Sequence, residues 1–324
     1  METESVSLTR TLGSKSRYPV TIAILETRSG ENSPAPGQKS ATQFLPVYFT
    51  SPAGWAEDRT VPVHHDNAHP SLRGATTLQP ADGPVEGDAF GRLLTRCWVA
   101  GGGRGVAYEV LERDDGYLFV EDAARYFAGP DDWRPLDRLA CERVAGRILD
   151  VGCGAGRHAV HLREAGYDVV GLDASPGAAA VARQRGVTVV SGSIHNPPAI
   201  PVRFDTLLLL DNGLGFLGNR ETAPLVLRNL ASLANPGAIV LATGLDPRSA
   251  KAGDTLEYCR RNRENGRYPG QFRVRVRDGV LASVWFDHLL LSPEELTELV
   301  TDSPWELDDL VPGNGAGYLA TLKL

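Results

Sequence analysis

Gly152, Gly154 and Gly156 follow a short apolar run that ends at Asp150 and Val151, and the next apolar run closes on Asp173. A glycine-rich turn between a strand and a helix lets a ligand approach the backbone, and the helix N-terminus offers unpaired N–H groups. A carboxylate about 20 residues further on, at the end of the neighbouring strand, can accept hydrogen bonds from both hydroxyls of a ribose. The dinucleotide fingerprint would place glycine at 157, where Arg157 stands, and no Gly-Lys-Ser/Thr follows to form a phosphate loop. These residues therefore point to a nucleoside-like ligand without a pyrophosphate cradle.

Alternating strands and helices must hold them. Apolar runs and turn residues predict strands over 147–151, 167–173, 187–190, 204–211 and 238–244. Helices are expected over 158–165 and 221–234, with another capped by Ser175, begun by Pro176 and ended at Gly186. The unbroken run FDTLLLLD suits a strand covered on both faces. This order predicts an α/β fold with a doubly wound, mostly parallel seven-stranded sheet. The chain ends with a strand near 305–311, the turn PGNGAG and the strand YLATLKL. So short a turn forces the last strand to run antiparallel.

The flanking segments differ. Residues 1–84 read as an extended or partly disordered arm, with a small β-unit as the alternative. Within it His64, His65, Asp66 and His69 lie close together but lack a downstream ligand spacing, so a solvated loop is expected there and no metal site. Residues 85–135 read as a cap or lid of two strands and a short helix bearing Tyr126 and Phe127, and residues 136–324 as the main domain. Asp278 and Gly279 separate two alternating runs, which predicts a hairpin inserted at about 260–291. Ser292 and Glu295 then form a capping-box pattern.

At 324 residues the chain is long enough for about two domains. A net charge of −7 argues against a surface built to bind nucleic acid. The four cysteines show no paired spacing, which fits a reducing cytoplasm. No stretch reaches the ~20 apolar residues of a membrane span, and METESVSLTR lacks a secretory core. A cytoplasmic protein with no nucleic-acid or membrane partner is expected.

Taken together, ILDVGCGAGR, VVGLDAS, the loop SGSI, FDTLLLLDNGLGFLG and the antiparallel end resemble class I S-adenosylmethionine-dependent methyltransferases, over roughly residues 136–324. The resemblance implies S-adenosylmethionine as cofactor. It implies that Gly152, Cys153, Gly154 and Gly156 border its methionine and ribose, with Asp150 near the ammonium. Asp173, beside Ala174, would hold the ribose diol. In the loop after the third strand the family often has an acidic residue for the adenine amine; here Ser193 and Ile194 stand there. Asp211 and Asn212 end the fourth strand, at the crevice where open parallel sheets bind ligands. The Asn-Pro-Pro at 196–198 precedes that strand and lacks a following aromatic, so it reads as a loop, not an amino-methyltransferase signature.

On the acceptor side, Asp211 and His288 are candidate bases, with a loop cap and a satisfied strand residue as their structural readings. Tyr126 and Trp133 either shield the sulfonium and acceptor or pack the cap. Arg273 and Arg275 lie among seven arginines between 260 and 277 and either bind an anionic acceptor or form a solvated strand face. The leading expectation is methyl transfer to oxygen or nitrogen of a small molecule. A cofactor-binding scaffold and a macromolecular acceptor are the alternatives, and Arg157 with the antiparallel end disfavours a nicotinamide oxidoreductase.

Overall fold

The computed structural model describes residues 5–12, 20–27, 83–249 and 253–324. Two compact units are present, Met1–Ala81 and Asp82–Leu324. In the first, β1 (Ser5–Leu12) and β2 (Val20–Thr27) pair as an antiparallel hairpin, where the sequence reading favoured an extended arm. The cluster at His64, His65, Asp66 and His69 lies outside the described residues.

The second unit opens with β3 (Val85–Glu86), α1 (Ala89–Val99), β4 (Tyr108–Arg113) and β5 (Leu118–Asp122). The alternating core then runs α2 (Pro135–Glu142), β6 (Ile148–Val151), α3 (Arg157–Glu164), β7 (Val169–Asp173), α4 (Pro176–Gln184), β8 (Thr188–Ser191) and β9 (Phe204–Leu209). After these come α5 (Ala223–Leu233), β10 (Ala234–Leu245), α6 (Gly253–Glu264), β11 (Gly270–Asp278), β12 (Leu281–Ala282) and β13 (Phe286–Leu290). The last elements are α7 (Pro293–Thr301), β14 (Glu306–Pro312) and β15 (Gly317–Lys323).

The main sheet has seven strands in the order β14-β15-β10-β9-β6-β7-β8, with β15 antiparallel to both neighbours. The five strands from β10 to β8 are parallel, the consequence of helical crossovers between them. Ile148, Leu149, Leu207 and Leu208 are wholly buried, as an apolar run covered on both faces should be. Among the described residues no helix is long and apolar enough to cross a membrane.

A second, six-stranded sheet joins segments distant in sequence, in the order β3-β12-β11-β4-β5, with β13 also on β11. The lid strands and the inserted hairpin are thus one structure. The expected hairpin partner is split: Ser283 Oγ accepts the Val276 N–H at 3.0 Å, where a ladder carbonyl would stand, and the strand breaks between β12 and β13.

Asp88 fastens α1 to the main domain. Its carboxylate caps α1 at Gly91 N (2.8 Å), accepts the Ser175 hydroxyl (2.7 Å) and accepts Gly177 N at the start of α4 (2.8 Å). The two helices meet at glycine on glycine, where a Cβ on Gly177 would lie 2.6 Å from the Gly91 Cα. Backbone cannot yield there as a side-chain tip can. Gly177→Ala is expected to destabilise the fold by about 1–3 kcal/mol, read as a lower urea midpoint; an unchanged midpoint would show that α1 is not seated on α4.

Candidate functional site

The turn after β6 is built on left-handed backbone: Gly152 has φ 71°, and a Cβ there would overlap the Phe216 ring. The turn is held from the side by Asp173 at the end of β7, whose Oδ2 accepts Gly154 N and whose Oδ1 accepts Ser175 N, both at 2.8 Å. Burial pushes the Asp173 carboxyl up, and these two backbone donors offset part of that. Each oxygen keeps acceptor capacity for a further donor.

Between this edge of the main sheet and the second sheet lies a cavity of about 760 Å³, a size ordinary for a ligand site. Asp150, Gly152, Cys153, Gly154, Asp173 and Ala174 line it, as do Ser193 and Ile194 beyond β8. Tyr126, Asp211, Asn212 and His288 line it from the other side. Of the residues expected at the site, Gly156, Trp133, Arg273 and Arg275 are not among the lining. A Cβ on Gly156 would meet Val187 at 3.1 Å and Ala182 at 3.3 Å, so this glycine serves helix packing. Trp133 is buried edge-on against His158 and His161, with its indole N–H on the Ala128 carbonyl at 2.8 Å. Arg275 pairs with Glu112 at 2.8 Å on the far face of the second sheet and stacks on Trp285. Arg273, one strand alternation away, shares that face.

The carboxylates of the cavity differ in charge state. Asp150 is buried with no hydrogen-bond partner on Oδ2, and burial pushes its carboxyl up to about 7 against the pull of Arg157. Burial acts on Asp211 too, but the guanidiniums of Arg125, Arg157 and Arg134 outweigh it and hold the carboxyl below the usual range. Arg125 bonds Asp211 directly, with Arg134 at 3.5 Å and Arg157 at 3.6 Å. A carboxylate so held is a poor proton acceptor, which favours the structural reading of Asp211 over the base. Asp211 and Asn212 both take left-handed backbone, φ 59° and 63°, a strained pair at the cavity edge.

His288 meets Asn212 through Nε2 and Nδ2 at 2.7 Å, and burial pushes its imidazole down to about 4. It is therefore neutral near pH 7 and a weak base. The better-poised group is Glu109 on β4, which the sequence reading did not select. Burial raises its carboxyl to about 6, against the Tyr126 hydroxyl that donates to Oε2 at 2.6 Å and the charge of Arg125. Phe90, edge-on to Tyr126 at 5.2 Å, and Asp88 are further lining residues that were not foreseen. Asp88 had a local signal, a capping residue ahead of an apolar helix; Glu109 had only its place in the alternation of β4.

The donor set fits S-adenosylmethionine. The orphaned Oδ2 of Asp150 suits an ammonium, the open oxygens of Asp173 suit a ribose diol, and the cradle at Gly152 would be closed by any Cβ. Among the described residues no cluster of His, Cys, Asp or Glu is arranged to hold a metal ion.

A methyltransferase-domain family model matches residues 148–237. The chain is 32% identical over 136 residues to ubiquinone biosynthesis O-methyltransferase of Azorhizobium caulinodans, covering 40% of this chain and 49% of that protein. It is 38% identical over 73 residues to 2-heptyl-1-hydroxyquinolin-4(1H)-one methyltransferase of Mycobacteroides abscessus, covering 20% and 32%. The matches thus span half or less of these curated relatives. A crystal structure of an S-adenosylmethionine-dependent methyltransferase from Bacteroides fragilis, in complex with S-adenosyl-L-homocysteine, superposes with a TM-score of 0.63 at 25% identity, over 74% of this chain and 95% of that one. With the reversed seventh strand and the glycine turn locked by Asp173, these likenesses lead to one conclusion: the chain carries a methyltransferase domain and has the fold of the class I S-adenosylmethionine-dependent methyltransferases.

Proposed function

We propose that the chain transfers a methyl group from S-adenosylmethionine to an oxygen or nitrogen of a small molecule. The observation that carries this reading is one continuous cavity bounded by Asp150, Gly152 and Asp173 on one side and by the second sheet on the other, so that cofactor and acceptor share one space. The names of the two curated relatives, an O-methyltransferase of ubiquinone biosynthesis and a methyltransferase of a hydroxyquinolone, support a small-molecule acceptor.

When bound, the cofactor supplies a methyl group on a positively charged sulfur. Asp173 would accept hydrogen bonds from its ribose hydroxyls, and the orphaned Oδ2 of Asp150 would face its ammonium. The turn at 152–154 leaves room for the tail. Phe90 and Tyr126 exclude water from the cavity on the α1 side. Alignment of acceptor, methyl and sulfur needs only positioning, which is worth about 7 kcal/mol or more. Where the acceptor must lose a proton, Glu109 takes it on a carboxylate oxygen, because a carboxyl near 6 is mostly ionised at pH 7 yet basic enough to accept. Asp211 remains the counter-ion of the arginines, and neutral His288 orients the acceptor by hydrogen bonding through its ring.

Three measurements check these roles. Purified protein with S-adenosylmethionine and a small-molecule extract is expected to release S-adenosylhomocysteine; Asp173→Ala should abolish both turnover and cofactor binding by calorimetry, and wild-type affinity in that variant would remove the reading.

Asp150 gives a pH signature. A carboxyl raised by folding keeps its proton in the free protein between about 4 and about 7, so it costs stability as pH rises through that window. An ammonium beside it favours the ionised form. Cofactor binding near pH 6 should therefore release a proton, seen as a buffer-dependent calorimetric heat, and affinity should rise toward pH 7; Asp150→Asn should lose both effects, and a wild type without proton release would place the ammonium elsewhere.

For an acceptor that must be deprotonated, Glu109→Gln should lower kcat by about 10²-fold or more with cofactor affinity unchanged, and the wild-type kcat should fall below pH about 6. A variant with full kcat and the wild-type pH profile would clear Glu109 of this role.

A further inference from the structure

Strand pairing fixes what the second sheet presents to the cavity. On β4 the inward residues are Glu109, Leu111 and Arg113, and the register sets Leu111 between Phe119 of β5 and Val276 of β11. Val274 of β11 lies between Arg113 and Phe286 of β13. The result is a plate of apolar side chains across four strands, β5, β4, β11 and β13. On its two outer strands Phe119 is 45% and Phe286 38% exposed, and Val284, two residues before Phe286, is exposed as well. Large apolar side chains held at the rim of a cavity mark a surface that another apolar body covers.

The charges of the cavity point the same way. Every guanidinium that lines it has a carboxylate partner. Arg113, 3% exposed, forms two bonds to Asp115 at 2.8 and 2.9 Å and is packed among the rings of Tyr117, Tyr258 and Phe272. Arg125 pairs with Glu121 and Asp211, Arg157 with Asp137, and Arg134 with Asp211. Glu109 and Glu121 on the wall would repel a further anion. The strand arginines Arg275 and Arg277 are turned to the opposite face, both on Glu112. An anionic acceptor finds no unpaired cation here, and its desolvation would go uncompensated.

We propose that the acceptor is an uncharged, largely apolar ring compound that lies flat against this plate, with its hydroxyl or amino group directed at the cofactor. This rests on the methyltransferase reading for the word acceptor, whereas the chemistry of the chamber is readable without it.

The test is equilibrium binding of 2-naphthol and of naphthalene-2-carboxylate, the same ring with an anionic group, each measured with and without saturating S-adenosylhomocysteine. The uncharged ring should bind at least about tenfold more tightly. Phe119→Asp and Phe286→Asp, both at partly exposed positions that tolerate a polar side chain, should each weaken 2-naphthol by about tenfold and leave affinity for S-adenosylhomocysteine unchanged. Equal or tighter binding of the carboxylate, no saturable binding of 2-naphthol, or variants that bind it as well as wild type would each overturn the proposal. Absence of S-adenosylhomocysteine binding would instead sink the methyltransferase reading, while the ring comparison without it still reports on the chamber.

Discussion

A buried carboxylate at the end of one strand holds open the turn that follows the strand beside it. Asp173 takes the Gly154 N–H across the gap from β7 to β6 and the Ser175 N–H at the head of α4, so one side chain fixes both loops that a nucleoside would touch. Gly152 takes its left-handed backbone freely because it has no Cβ, and Phe216 packs where one would be. Asp88 extends the same device outward, binding Ser175 and the start of α4 and thereby seating α1 above the loop. The site is thus organised by backbone donors on carboxylates, a rigid arrangement that needs little reorganisation on binding.

The second sheet converts an open crevice into a chamber. Two segments, β4–β5 before the main domain and β11–β13 within it, are joined by the β4–β11 ladder. Charge is gathered on one wall of the same cavity. Arg157, at the position where a dinucleotide fold would want glycine, bridges Asp137 and Asp211, and Arg125 and Arg134 complete the set. Breaking one member of such a network would strand its partners, which favours a structural role for the carboxylate at 211. Glu109 escapes that fate because its close donor is the neutral hydroxyl of Tyr126, with Arg125 at 3.9 Å.

Much of the main sheet was legible in the sequence because its signals are local. Glycines at 152–156, Asp173 at a strand end, Ser175 with Pro176, and the short turn before the last strand each carry their meaning within a few residues. The acceptor wall was not legible. Alternation sorts Phe272, Val274 and Val276 from Arg273, Arg275 and Arg277, but only the pairing of β11 with β4 decides which set turns inward. Glu109 and Asp88 were missed for a related reason, since their defining partners lie 17 and 87 to 89 residues away. The arginines around Asp211 could not be foreseen, because they come from three separate segments that only the fold brings together.

The central claim is that Asp173 and the turn it locks receive an adenosine whose amino-acid tail runs to Asp150. A crystal structure of the protein grown with saturating S-adenosylhomocysteine tests it most directly. Both ribose hydroxyls are predicted within hydrogen-bond distance of the Asp173 carboxylate, with the ammonium on the side of Asp150 Oδ2. A nucleoside bound elsewhere, or one in this cavity with its ribose turned away from Asp173, would contradict the account.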